Sequence, residues 1–173
     1  MAKFTHTPSK KTKELPKKRE HASEFKKGKA EYIICPACSS VYYNKSWHHS
    51  MEGDKHFTEN KNVNFTVCPA DKMIKAKQFE GQIVLENVPE ILRGELFSLI
   101  ENMGEHAFRR DPMDRVISIR DEKDTIEILT TENQLAVSIA KKIRDSFKDK
   151  MRGKLEIKFS EREDPVRIIW KSE

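Results

Sequence analysis

An α+β fold is predicted for this chain, on three observations from its 173 residues. Two short motifs, Cys35-Pro36-Ala37-Cys38 and Cys68-Pro69-Ala70-Asp71, hold all three cysteines. They lie roughly thirty residues apart, the spacing at which paired turns gather ligands around one metal ion. From Gly81 onward, runs of two-residue period alternate with runs of helical period. Those runs follow in the order strand, helix, strand, strand, helix, strand, with one further strand at the end.

Residues 1–30 come first and carry no apolar periodicity. Lys3, Lys10, Lys11, Lys13, Lys17, Lys18, Arg19, Lys26, Lys27 and Lys29 stand against Glu14, Glu20 and Glu24. This segment holds a net +7 in a chain of net +5, so the remainder is slightly acidic. A disordered basic arm is expected, of the kind that contacts nucleic-acid phosphates without sequence preference.

The next unit is expected at residues 31–80. Glu31–Ile34 approaches the first motif, and Ser39–Trp47 is aromatic and β-prone, reading as the strand that leaves it. His48–Asn62 is polar and reads as a loop. Val63–Val67 alternates and leads into the second motif. Knuckle, strand, loop, strand, knuckle is the order of a zinc ribbon. With 36% hydrophobic and 35% charged residues the total core is modest, so a small unit gains from a metal staple.

The third segment, residues 81–173, opens with a strand at Gln82–Glu86. Pro89 suits the first turn of a helix, where its missing N–H costs nothing. Leu92, Leu96, Leu99, Ile100 and Met103 then predict a helix from Pro89 to Gly104. Arg115–Arg120 and Thr125–Leu129 are β-rich runs joined by Asp121-Glu122-Lys123-Asp124. Thr131 and Gln134 have the spacing of a capping box. Leu135, Ile139, Ile143 and Phe147 define the buried stripe of a second helix. Lys154–Ser160 and Val166–Trp170 alternate as strands. The succession is that of a ferredoxin-like βαββαβ domain, an antiparallel sheet with two helices on one face, carrying an extra C-terminal strand. The simplest place for that strand is an edge beside the Lys154 strand.

Cys35, Cys38 and Cys68 are the three candidate Zn2+ ligands that spacing supplies. The fourth has two sources. Asp71 stands at the repeat-equivalent position, whereas His48, His49 and His56 offer imidazole, the better zinc partner. An open catalytic zinc is disfavoured, since no H-x-E or similar acid/base partner accompanies the cysteines. Gly-rich phosphate loops, G-x-S-x-G and H-E-x-x-H are missing, so no enzyme is expected.

Lys141, Lys142 and Arg144 fall off the apolar stripe of the second helix and form a second candidate RNA-facing patch beside the arm. The same residues also suit an ordinary solvated face near a helix C-terminus. The Arg115–Arg120 run has no aromatic, so base stacking on the sheet is not expected. Tyr42, Tyr43 and Trp47 are the better stacking candidates, or else fill the ribbon's core.

Cysteine knuckles followed by an α+β segment, with Ala136-Val137-Ser138-Ile139-Ala140-Lys141-Lys142-Ile143-Arg144-Asp145-Ser146-Phe147 and then Gly153-Lys154-Leu155-Glu156, resemble the Nmd-three family of large-ribosomal-subunit adaptors, in the manner of its shorter prokaryotic members. The chain departs from the family's more complete cysteine pairs and lacks the length of its eukaryotic members. The resemblance implies association with ribosomal RNA and ribosomal proteins, and carries Cys35, Cys38 and Cys68 over as zinc ligands. The expectation is a non-enzymatic, zinc-binding RNA-binding protein, monomeric and cytoplasmic, with no membrane segment. A zinc-ribbon module for protein–protein contacts is the alternative.

Overall fold

The computed structural model describes residues 32–49, 63–151, 153–158 and 165–172. The basic arm and His56 lie outside them. Two sheets form, each with its own buried cluster.

The smaller sheet holds β1 (Tyr32–Ile34), β2 (Val41–Tyr43), β3 (Ser46–His48) and β4 (Val63–Phe65), in the order β3-β2-β1-β4. β1 runs antiparallel to β2 and parallel to β4, so the sheet is mixed. The run Ser39–Trp47, expected as one strand, is two. Asn44 and Lys45 both take positive φ, 48° and 67°, and reverse the chain in a two-residue turn whose twist matches the flanking strands. Tyr42 and Trp47 pack together with ring centroids 5.4 Å apart, in a cluster with Cys35, Cys68 and Ala70. These two candidate stacking rings therefore fill the small core. Tyr43 is half-buried and stacks on Tyr32 at 4.9 Å.

The Cys68 motif does not repeat the first turn. It opens a helix, α1 (Pro69–Ala76), with Cys68 as its N-cap. Proline in the first turn and Asp71 near the N-terminal dipole both favour that start. Lys77 ends the helix in the left-handed region at φ 54°, its N–H reaching Ile74 O.

The larger unit runs β5 (Gly81–Glu86), α2 (Glu90–Arg110), β6 (Val116–Asp121), β7 (Thr125–Thr130), α3 (Asn133–Phe147), β8 (Gly153–Lys158) and β9 (Val166–Ser172). The expected succession is present, but the last strand is not at an edge. The sheet order is β6-β7-β5-β9-β8, with β9 between β5 and β8. β9 is parallel to β5 and antiparallel to β8, so the sheet is mixed rather than antiparallel throughout. The reason is in the side chains. Val166, Ile168 and Trp170 of β9 are buried, whereas Leu155 and Ile157 of β8 are only partly so and are flanked by Lys154, Glu156 and Lys158. A strand bearing charges tolerates the edge, and the more apolar strand takes the interior.

One cross-strand row fixes the register. Ile119, Ile128, Ile83, Ile168 and Ile157 lie side by side from β6 to β8. The central three are fully buried under the helices, each contributing about 1.5–3 kcal/mol. A one-residue slip would turn a strand's apolar face to water. Helices α2 and α3 share this core, α3 lying over β5, β7, β8 and β9. The opposite sheet face is not covered by either helix.

Two helix boundaries differ from expectation. α2 continues past Gly104, which is not a stop but a contact: a Cβ there would meet Val116 Cγ2 at 2.9 Å. Thr131 forms no capping box with Gln134. The N-cap of α3 is Glu132, and no side chain caps it. The Thr131 hydroxyl instead accepts from Arg115 N at 2.8 Å and donates to Met113 O at 2.6 Å, tying α3 to the segment before β6. No helix among the described residues is long and apolar enough to cross a membrane.

Candidate metal centre

The two motifs reach one point by different routes. In the first, Cys35 N donates to Ser40 O at 2.8 Å and Ser39 N to Cys35 O at 2.9 Å. Ser39 takes φ 62°, which turns the chain leaving Cys38 back so that Ser40 lies against Cys35. In the second, α1 presents its first turn: Cys68 at the N-cap and Asp71 three residues on, with Asp71 N donating to Cys68 Sγ at 3.4 Å. Cys68 N donates to Cys35 Sγ at 3.3 Å. Backbone N–H groups aimed at sulfur hold the two side chains in place.

The ligand atoms of Cys35, Cys38, Cys68 and Asp71 all lie within 4.8 Å of one another. Cys38 and Cys68 sulfurs are 3.7 Å apart. A tetrahedral zinc with Zn–S of about 2.3 Å needs an S···S edge of about 3.8 Å, so the pair is already at ligand spacing. Oδ2 of Asp71 accepts from Cys35 and Cys68, each at 3.1 Å. Cys35 and Cys68 are fully buried, while Cys38 and Asp71 are partly so. Three thiolates and a carboxylate fit a metal ion in number, chemistry and spacing. This donor set suits zinc, which takes both sulfur and oxygen ligands.

The electrostatics agree. Burial alone would raise the Asp71 carboxyl, but hydrogen bonds from the cysteine thiols and the Arg115 guanidinium hold it below the usual carboxylate range. Burial pushes the Cys68 thiol up, with the neighbouring Asp71 carboxylate and Cys38 adding to it. Burial acts the same way on Cys38, yet hydrogen bonds from the Ser40 side chain and backbone and from Arg115 bring that thiol below its ordinary value. Without a cation only one of two sulfurs this close ionises readily. A dication lets both do so.

Of the sequence candidates, the structure thus brings Cys35, Cys38, Cys68 and Asp71 together. It takes two histidines elsewhere. His48 Nε2 bonds the Ser46 hydroxyl at 2.9 Å and Tyr43 O at 3.2 Å. His49 Nε2 bonds Phe108 O, and its ring meets Phe108 edge-on at 4.5 Å. Lys141, Lys142 and Arg144 are exposed on α3, as their spacing predicted, with Arg144 paired to Asp145 at 2.8 Å. Lys10, Lys11, Lys13, Lys17, Lys18, Arg19, Lys26, Lys27 and Lys29 are outside the described residues.

Sequence reasoning missed Arg115. Its Nη1 donates to Asp71 Oδ1 at 3.1 Å, its Nε donates to Pro112 O at 2.9 Å, and its guanidinium lies 4.9 Å from the centroid of the Phe108 ring. Met113 packs on the cysteine cluster from the same segment. Forty-four residues separate Arg115 from Asp71, and no local pattern announces the pair. Compared with protein-family models and with curated proteins, the chain matches none.

Proposed function

We propose that this protein is a non-enzymatic, zinc-stapled RNA-binding protein that associates with the ribosome, the large subunit in particular. The carrying observation is the closed cluster of Cys35, Cys38, Cys68 and Asp71. Four protein donors leave no position for a substrate, which is the arrangement of a structural rather than a catalytic ion. On this reading residues 31–80 are a zinc ribbon held by Zn2+, and residues 81–173 are a variant of the ferredoxin-like domain with its fifth strand inserted. The +7 of residues 1–30 and the exposed Lys141, Lys142 and Arg144 supply phosphate contacts. The resemblance to the Nmd-three family points to ribosomal RNA and ribosomal proteins as partners, with a cytoplasmic monomer as the working form.

The test is co-sedimentation of the purified full chain with ribosomal particles across a salt series, with zinc quantified in the same fractions. Co-migration with the large subunit that weakens with salt and with deletion of residues 1–30 is expected. Protein that stays at the top of the gradient at every salt concentration overturns the reading. It would favour a protein-interaction module, for which Phe65 on β4, 68% exposed, is a ready contact.

A further inference from the structure

The face of the larger sheet turned away from α2 and α3 carries a pattern that folding does not require. Across β9 and β8, Arg167 is directly opposite Lys158 and Lys171 is directly opposite Lys154. In each strand these residues alternate with the helix-facing row, so all four share the open face. Lys171 is neutralised by Glu86 at 3.4 Å and Lys154 by Glu156 at 3.1 Å. Arg167 and Lys158 are exposed, and no described carboxylate pairs with either. Arg167 faces Gln82 on its other side, and the Gln82 amide is spent on Glu127 at 2.6 Å.

Like charges directly opposite one another weaken a sheet. Edge protection accounts for lysines on β8, the outermost strand. It does not account for Arg167, which stands on the interior strand β9 against an edge lysine. A repulsive pair with no carboxylate partner among the described residues is relieved when an anion bridges it. The rest of the face suits an extended polyanion. Lys154 and Lys158 are four residues apart on one strand, about 13 Å, so the basic side chains form a stripe whose ion-paired end is Lys154 and Lys171 and whose open end is Lys158 and Arg167. Val84, Ile169 and Glu156 lie in the row between the two cationic rows, and no described residue of this face is aromatic. Such a face holds phosphates and stacks no bases.

We infer that the β8–β9 half of the open sheet face is a docking surface for the phosphate backbone of RNA, with Arg167 and Lys158 as its central pair. This rests on the RNA-binding reading above and adds to it a site in the folded body, on the layer opposite α3.

The test uses the full chain and a short fluorescein-labelled single-stranded RNA of mixed sequence, read by fluorescence anisotropy over a salt series. The Lys158→Glu/Arg167→Glu variant is expected to bind at least about tenfold more weakly. Its log–log salt slope should be shallower by about 1.4, since two phosphate contacts are removed. Lys72→Glu/Lys123→Glu, which changes net charge equally away from this face, is expected to keep the wild-type slope. Thermal unfolding provides a separate arm. The single variant Lys158→Glu turns a repulsive pair into an attractive one, so it should melt no lower than wild type while binding RNA less well. Unchanged affinity and slope in the double variant, with wild-type binding intact, overturn the sheet site and leave the parent reading standing. A lower melting temperature for Lys158→Glu shows the pair to be already compensated and also overturns the site. A wild-type chain that binds neither this RNA nor ribosomal particles overturns both.

Discussion

Arg115 Nη1 donates to Oδ1 of Asp71 at 3.1 Å, while Oδ2 of the same carboxylate faces the sulfurs of Cys35 and Cys68. One carboxylate thus has one oxygen on the cysteine cluster and the other on a cation from the larger unit. Both side chains are largely buried, 15% and 12% exposed, so the pair is only weakly screened by solvent. Thr131 fixes Arg115 from behind by bonding its backbone N. A chain of contacts therefore runs from the start of α3 through Thr131, Arg115 and Asp71 to the three cysteines. Metal binding by the cluster is expected to be coupled through it to the contact between the two units.

Arg115→Met keeps most of the aliphatic stem and removes the fork, its charge and its contact with the Phe108 ring. Partners of this kind orient a ligand without touching the metal, and losing one weakens binding by roughly 10–100-fold. That loss is expected here, measured by competition with a chromophoric zinc chelator. Arg115→Lys should fall between wild type and Arg115→Met, because an ammonium keeps the charge but cannot hold Asp71 and Pro112 O together. Wild-type zinc affinity in Arg115→Met would refute the coupling.

The ligand set makes a sharper prediction. Asp71→Cys completes the four-thiolate set from the first turn of α1, where the backbone already points at the site. The cobalt-loaded variant should show a thiolate-to-metal absorption about one third stronger than wild type, four thiolates replacing three. Cys68→Ser should lose the wild-type affinity and melt at a lower temperature, as should wild-type protein treated with a chelator. A melting temperature indifferent to zinc would remove the metal from the structural argument.

The cysteines and Asp71 were legible because ligand spacing is local, and the α3 stripe because Leu135, Ile139, Ile143 and Phe147 repeat at one helical interval. Other features were hidden for identifiable reasons. Reading Cys68-Pro69-Ala70-Asp71 as a copy of Cys35-Pro36-Ala37-Cys38 concealed that proline and an acidic third position also start a helix. The Asn44–Lys45 turn has asparagine but no glycine, so its signal was half of the usual one. The place of β9 depends on comparing two strands that each look amphipathic alone. The Arg115–Asp71 pair joins residues far apart in sequence, and only the fold brings them together.

Five described non-glycine residues hold left-handed backbone, and two of them, Ser39 and Lys45, lie between strands of the smaller sheet and are not asparagine. Ser39 follows the first knuckle at φ 62°, and Lys45 is the second residue of the two-residue turn at φ 67°. Left-handed conformation costs an L-residue about 1–2 kcal/mol, partly offset because glycine loses more entropy on folding. Ser39→Gly and Lys45→Gly should each stabilise the zinc-loaded protein by about 0.5–1 kcal/mol in denaturant unfolding, adding nearly independently. Destabilisation by Lys45→Gly would show that the lysine side chain makes a contact outweighing its backbone strain.

Glu132, the N-cap of α3, gives the pH dependence. Burial, followed by the charges of Glu80, Asp114 and Asp111, raises its carboxyl to about 7 from an ordinary 4.5. The folded chain therefore keeps a proton that the unfolded chain has lost between those two values. Stability falls as pH rises through that window and levels off above it, the reverse of a salt-bridged carboxylate. Glu132→Gln removes the penalty. After allowance for the solvent that reaches this side chain, the variant should exceed wild type by about 1 kcal/mol at pH 8. The difference should close as the pH is lowered from 7 toward 4.5. Unfolding of both proteins across that range measures it, and a constant difference at every pH would mean that the substitution acts through packing rather than charge.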